Sequence, residues 1–119
     1  MVTTMDIPDN VLRITRHKAR GIETEHPAVF PVRLAAFAMA AYSDEDAVVY
    51  EPFGGSGTSL VAGQQEGCRV RAIELAPAYI DVALRRWRGL FPDIEPVLDG
   101  DRRSYPEIEA ARRTAEAAA

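Results

Sequence analysis

Residues 47–75 read AVVYEPFGGSGTSLVAGQQEGCRVRAIEL, and the parsing of this stretch decides the fold. Residues 47–51 form a short β-branched, apolar run, the composition of a strand buried on both faces. Gly54, Gly55 and Gly57 then crowd into four positions. Residues 58–67 follow as a short helix, with Gly67 placed to end it in the left-handed conformation. Residues 68–75, CRVRAIEL, make a second strand. A strand, a glycine turn, a helix and another strand imply parallel pairing in an α/β sheet.

Outward from this unit the chain continues the pattern. Residues 10–15, NVLRIT, suggest a short strand leading into a basic connection over residues 16–30. Pro31 opens a helix at a first-turn position where its missing N–H does no harm. Leu34, Phe37, Ala38 and Ala41 give that helix an apolar stripe. Residues 76–89, APAYIDVALRRWRG, are the clearest helix, with Ile80, Ala83, Leu84 and Trp87 on one face and Gly89 at its end. Arg85, Arg86 and Arg88 then supply its polar face, and Trp87 reads as core. Residues 94–100, IEPVLDG, suggest a third strand. Ser104 and Glu107 have capping-box spacing before a last helix over residues 106–118. The expected division is an N-terminal strand and connection over residues 1–25, then a ligand-binding half-domain over residues 26–119.

At 119 residues, the chain is one small domain or part of a larger one. Such a chain buries roughly 65% of its unfolded surface, enough for one modest core. Its 18 acidic and 14 basic residues give a formal charge of −4. That argues against a nucleic-acid binder basic over its whole surface but leaves room for a local basic face. Cys68 is the single cysteine, so no internal disulfide forms and a reducing, cytoplasmic setting is expected. The opening MVTTMDIPDN carries acids and a proline where a secretory signal would be apolar. The apolar stretch RLAAFAMAAY is too short to span a bilayer.

Glycines let a backbone turn tightly and approach a ligand closely, with no Cβ in the way. The N–H groups and dipole at the start of the next helix favour an anionic group there. Glu74 ends the second strand, seventeen residues beyond Gly57, and an acid at that place accepts hydrogen bonds from ribose hydroxyls. No lysine follows the glycines, which sets aside a phosphate loop, and GGSG does not give G-x-G-x-x-G in register. An adenosine-containing ligand without a pyrophosphate fits better.

EPFGGSGTSL (residues 51–60) resembles motif I of the DNA amino-methyltransferases that make N4-methylcytosine or N6-methyladenine, whose pattern is D-P-F-x-G-S-G-T. Ahead of it, HPAVFPVRL looks like their motif X, which precedes motif I in the group called β class. Behind it, AIELAPAYIDVALRR is similar to motif II. The tail over residues 85–112 looks like the ending of phage- and plasmid-type methylases. The resemblance implies a partial Rossmann-like, S-adenosylmethionine-dependent methyltransferase fold with a mostly parallel sheet. By that resemblance Glu51, Phe53, Gly54, Gly55, Ser56, Gly57 and Thr58 hold the methionine portion of S-adenosylmethionine. Glu74 holds the ribose, Leu75 lies against the adenine, and His26, Ala28 and Phe30 close the methionine side.

Two departures from the family pattern stand out. Glu51 replaces the usual aspartate, keeping the charge but adding a methylene. The Asp/Asn/Ser-Pro-Pro-aromatic motif, which accepts hydrogen bonds from the target amino group and stacks on the flipped base, is missing: of eight prolines no two are adjacent. In the β class that motif precedes motif X, so the expectation is the cofactor-binding part of an enzyme whose catalytic residues lie on a second chain or an N-terminal half. DNA would be reached through that partner, with Arg13, Arg16, Lys18 and Arg20 as candidate phosphate contacts. Residues 47–51 would form an open sheet edge that recruits a partner chain or a second copy. Two other readings compete: a vestigial or regulatory cofactor-binding module without methylation activity, and a self-associating small Rossmann-like protein binding another nucleoside. No metal site is expected, since His26 has no neighbouring ligands.

Overall fold

Pro31 sets the start of the first described element. The computed structural model describes residues 11–14 and 29–119. Pro31 is extended, at φ −66° and ψ 137°, and stands just before helix α1 (Val32–Tyr42) instead of inside its first turn. Its carbonyl accepts the N–H of Leu34 at 3.1 Å, satisfying one donor of the helix start. Residues 11–14 carry no strand. The flanks of that expected strand lie outside the described residues.

Helix α1 turns a different face inward from the expected one. Met39 is buried and Val32, Ala35, Ala36 and Phe37 are half-buried, whereas Leu34, Ala38 and Ala41, the rest of the expected stripe, are exposed. The cause is composition: the helix is apolar nearly all round, so periodicity alone does not select a face. Its partner does. Helix α1 packs on helix α2 (Thr58–Glu66).

Strand β1 (Val48–Glu51) and strand β2 (Arg69–Ala72) pair in parallel, with Val48 opposite Arg69 and Glu51 opposite Ala72. Helix α2 connects them and covers the face carrying Val49 and Val70. It lies so close that a Cβ on Gly63 would collide with Cγ2 of Val70. Gly67, at φ 72°, ends α2 as expected. The other sheet face is bare, contrary to the reading of β1 as a strand buried on both sides: Val48 is 60% and Tyr50 66% exposed. Among the described residues β1 pairs only with β2, so its outer edge carries no ladder.

Helix α3 (Pro77–Leu90) buries Val82 and Ala83, while Ile80, expected on its inner face, is exposed. Gly89 lies within its last turn and does not end it. The chain divides inside this helix into two compact units, Met1–Ala83 and Leu84–Ala119.

The second unit is held by polar bonds more than by core. The Trp87 indole N–H donates to the carbonyl of Ile94 at 3.0 Å, and its ring centroid lies 4.7 Å from that of Phe91. Arg88 pairs with Glu95 at 3.0 Å and lies over the Tyr105 ring. Arg86, assigned to the polar face, is half-buried, and burial lowers its pKa. The expected third strand is only a single antiparallel bridge, Val97 to Ser104, closing a turn in which Gly100 and Arg102 have positive φ. Pro96 lacks an N–H and the turn reverses the chain at once, so no ladder extends.

Helix α4 (Tyr105–Ala117) begins with the expected capping box: Glu107 Oε2 accepts both the N–H and the hydroxyl of Ser104 at 2.7 Å. Those bonds, the hydroxyl's first, hold the Glu107 carboxyl below its ordinary value. A carboxyl whose pKa is depressed by folding stabilises the helix above its unfolded pKa and loses that effect as pH falls through the folded one. An NMR titration of Ser104 and Glu107 should therefore give a midpoint below that of an ordinary glutamate, with fraying of α4 on the acid side. A midpoint at or above the ordinary value would contradict the cap. Among the described residues no helix is long and apolar enough to cross a membrane.

Candidate functional site

The glycine loop connects the end of β1 to α2, and two carboxylates reach into it from the ends of the two strands. Glu51 Oε1 accepts the N–H of Phe53 at 2.9 Å, and its Oε2 accepts the hydroxyl of Ser59 at 2.7 Å. Glu74 Oε2 accepts the N–H of Gly55 at 2.6 Å, and its Oε1 accepts the N–H of Ala76 at 2.9 Å. The Gly54 N–H donates to the carbonyl of Ile73 at 2.8 Å, and the Gly57 N–H to that of Gly54 at 3.0 Å. Glu74 therefore stands two residues past β2, tied to the loop nineteen positions earlier.

Gly57 lies where the loop must turn into the helix. It is in the left-handed region, at φ 81°, and caps α2. A Cβ there would sit 2.8 Å from the Cβ of Ala83, so α3 closes on bare backbone. Ser56 and Thr58 are buried beside it, and the Thr58 hydroxyl reaches the carbonyl of Phe30 at 3.4 Å.

Around this acidic loop, apolar side chains stand out: Phe53 is 84% and Leu75 96% exposed. Exposed apolar groups beside two half-buried carboxylates suit a ligand with a flat apolar part and several donors, such as hydroxyls or an ammonium. A phosphate suits it poorly. The N–H groups of Phe53, Gly54, Gly55 and Gly57 already donate within the chain, and two carboxylates would repel a further anion.

Of the residues singled out from sequence, Glu51, Phe53, Gly54, Gly55, Ser56, Gly57, Thr58, Glu74 and Leu75 lie in or beside this one loop. Phe30 is reached through its carbonyl. His26, Ala28, Arg16, Lys18 and Arg20 lie outside the described residues, and Arg13 is exposed. Sequence reasoning missed Ser59. Its signal was the extra methylene of Glu51, which carries the carboxylate far enough to meet a hydroxyl in the first turn of α2.

Comparison with known proteins identifies the family. The DNA methylase family model for N6 and N4 enzymes matches residues 6–85. The chain belongs to that family. It is 44% identical over 64 residues to the type II methyltransferase M.ScaI of Streptomyces caespitosus, covering 53% of this chain and 21% of that protein. Among solved structures it resembles the cytosine-N4-specific PvuII DNA methyltransferase, with TM-score 0.61 and 28% identity over 68% of this chain and 32% of the other. It also resembles a Thermus thermophilus protein described as a DNA modification methylase, solved with S-adenosyl-L-methionine. There the TM-score is 0.54 and the identity 37%, over 59% of this chain and 30% of the other. The chain thus spans about a fifth to a third of the length of these relatives.

Proposed function

We propose that this chain is the S-adenosylmethionine-binding part of a DNA amino-methyltransferase of β-class, phage- or plasmid-type character, acting on cytosine N4 or adenine N6. The observation that carries the reading is the pairing of Glu51 and Glu74 on one glycine loop, flanked by exposed Phe53 and Leu75. Those residues fit the cofactor. Glu51 faces its ammonium, Glu74 its ribose hydroxyls, Leu75 its adenine and Phe53 the methionine chain, with His26, Ala28 and Phe30 closing the far side. Bound there, S-adenosylmethionine supplies an activated methyl group on a sulfonium centre. The chain's own residues bind and orient it, and the buried backbone around Ser56 and Thr58 keeps water from that side of the loop.

The acceptor for the target amino group and the surface that reads DNA belong to another polypeptide segment. The bare face and open edge of β1 are where that segment, or a second copy of the chain, adds to the sheet. Arg13, Arg16, Lys18 and Arg20 are the phosphate contacts of this reading.

Titration calorimetry tests the cofactor reading. S-adenosylmethionine and S-adenosylhomocysteine should bind more tightly than NAD or ATP. Glu74→Ala should weaken binding by about 1–3 kcal/mol, the scale of hydrogen bonds to a charged group. Preference for NAD or ATP, or full affinity in Glu74→Ala, would refute the assignment.

A further inference from the structure

We propose that Ser59 is a positioning residue that holds the Glu51 carboxylate in place for the ammonium group of the ligand, and so sets discrimination for ligands carrying an amino-acid moiety. This rests on the reading of the glycine loop as an S-adenosylmethionine site.

A serine at the N-cap of a helix accepts a hydrogen bond from a first-turn backbone N–H. Ser59 does not. The cap position is Gly57, which has no side chain, and the Ser59 hydroxyl donates outward to Glu51 Oε2 at 2.7 Å. Ser59 is only 6% exposed, so its hydroxyl is held by packing and its proton is directed at the carboxylate.

Glu51 is in this way pinned at both oxygens, one by the loop N–H of Phe53 and one by Ser59. The consequence lies in the length of its side chain. A glutamate has one more rotatable bond than an aspartate and loses more rotamer freedom when it is ordered. Held beforehand, that loss is not charged to binding, which is how preorganisation raises affinity. A carboxylate accepts about four hydrogen bonds, so Glu51 keeps capacity for an ammonium while both anchors stay in place. The start of α2 also favours negative charge at this point. Without the hydroxyl, one oxygen is released and the carboxylate swings about the remaining bond.

The test uses the 119-residue chain with two probes, S-adenosylhomocysteine, which carries the ammonium, and 5′-methylthioadenosine, which carries the nucleoside but no amino acid. Ser59→Ala should weaken S-adenosylhomocysteine about tenfold or more, the scale of a hydrogen bond to a charged group, and leave 5′-methylthioadenosine nearly unchanged. Ser59→Thr, which keeps the hydroxyl, should restore most of the loss. In a Glu51→Gln background, Ser59→Ala should add little, because both changes act on one contact. Equal weakening of both probes would reduce Ser59 to a structural role and overturn the proposal, as would an unchanged affinity for S-adenosylhomocysteine or full additivity with Glu51→Gln. Failure of the wild-type chain to bind either probe would instead overturn the reading of the loop on which the proposal stands.

Discussion

Gly57→Val should abolish S-adenosylmethionine binding and at the same time lower the stability of the N-terminal unit. Two costs act together. Gly57 sits at φ 81°, a region that costs a non-glycine residue about 1–3 kcal/mol, and a β-branched one the upper part of that range. The new Cβ would also stand 2.8 Å from the Cβ of Ala83, a buried position on α3. Forcing extra atoms into a packed site costs about another 1–3 kcal/mol. Relief requires either α3 to move away or the loop to lift off the helix start. Both displace Glu51 and Glu74 from the backbone donors that hold them. Urea denaturation gives the stability change, and calorimetry under conditions where the variant remains folded gives the affinity. Wild-type affinity in folded Gly57→Val would show that the ligand does not meet this turn.

The strand, loop, helix and strand around Gly57 were legible in the sequence because each has a local cause. Residues 47–51 centre on the β-branched pair Val48 and Val49, Gly57 and Gly67 both take left-handed backbone, and Ser104 with Glu107 satisfy a helix start within four residues. Where the cause is not local, reading failed. Helix α1 has apolar residues on nearly every side, so its inward face was chosen by packing against α2, not by spacing. Val97 has strand-like neighbours, yet it finds only Ser104 across a tight turn. The site divides in the same way. Which residues line the glycine loop followed from the pattern of the chain. That Glu51 and Glu74 bond to the loop's own N–H groups did not, because Glu74 and Gly55 meet only after β2 has paired with β1.

The largest expected effect concerns the reaction itself: the chain alone should transfer no measurable methyl group to DNA. The exocyclic nitrogen of cytosine or adenine is a poor nucleophile, because its lone pair is delocalised into the ring. A methyltransferase must draw that lone pair back by accepting hydrogen bonds from the amino protons, with the base extruded from the duplex and stacked on an aromatic ring. The family resemblance implies that a Pro-Pro-aromatic segment does so, and no two prolines of this chain are adjacent. The carboxylates at hand, Glu51 and Glu74, are the ones the proposal gives to the cofactor, each already turned to the glycine loop. Losing general-base and positioning contributions of this kind costs several orders of magnitude in rate, so tritiated methyl incorporation should stay at background for the 119-residue chain. Adding a polypeptide that carries the Pro-Pro-aromatic segment and pairs with the open edge of β1 should restore incorporation. The same addition should slow amide exchange at Tyr50 and cover Val48, both exposed in the chain by itself. Incorporation by the pure chain at the rate of a complete enzyme would mean that the amino group is activated by a residue within these 119 positions. Binding of S-adenosylmethionine with no incorporation even when the second segment has paired would favour a cofactor-binding module over an enzyme component.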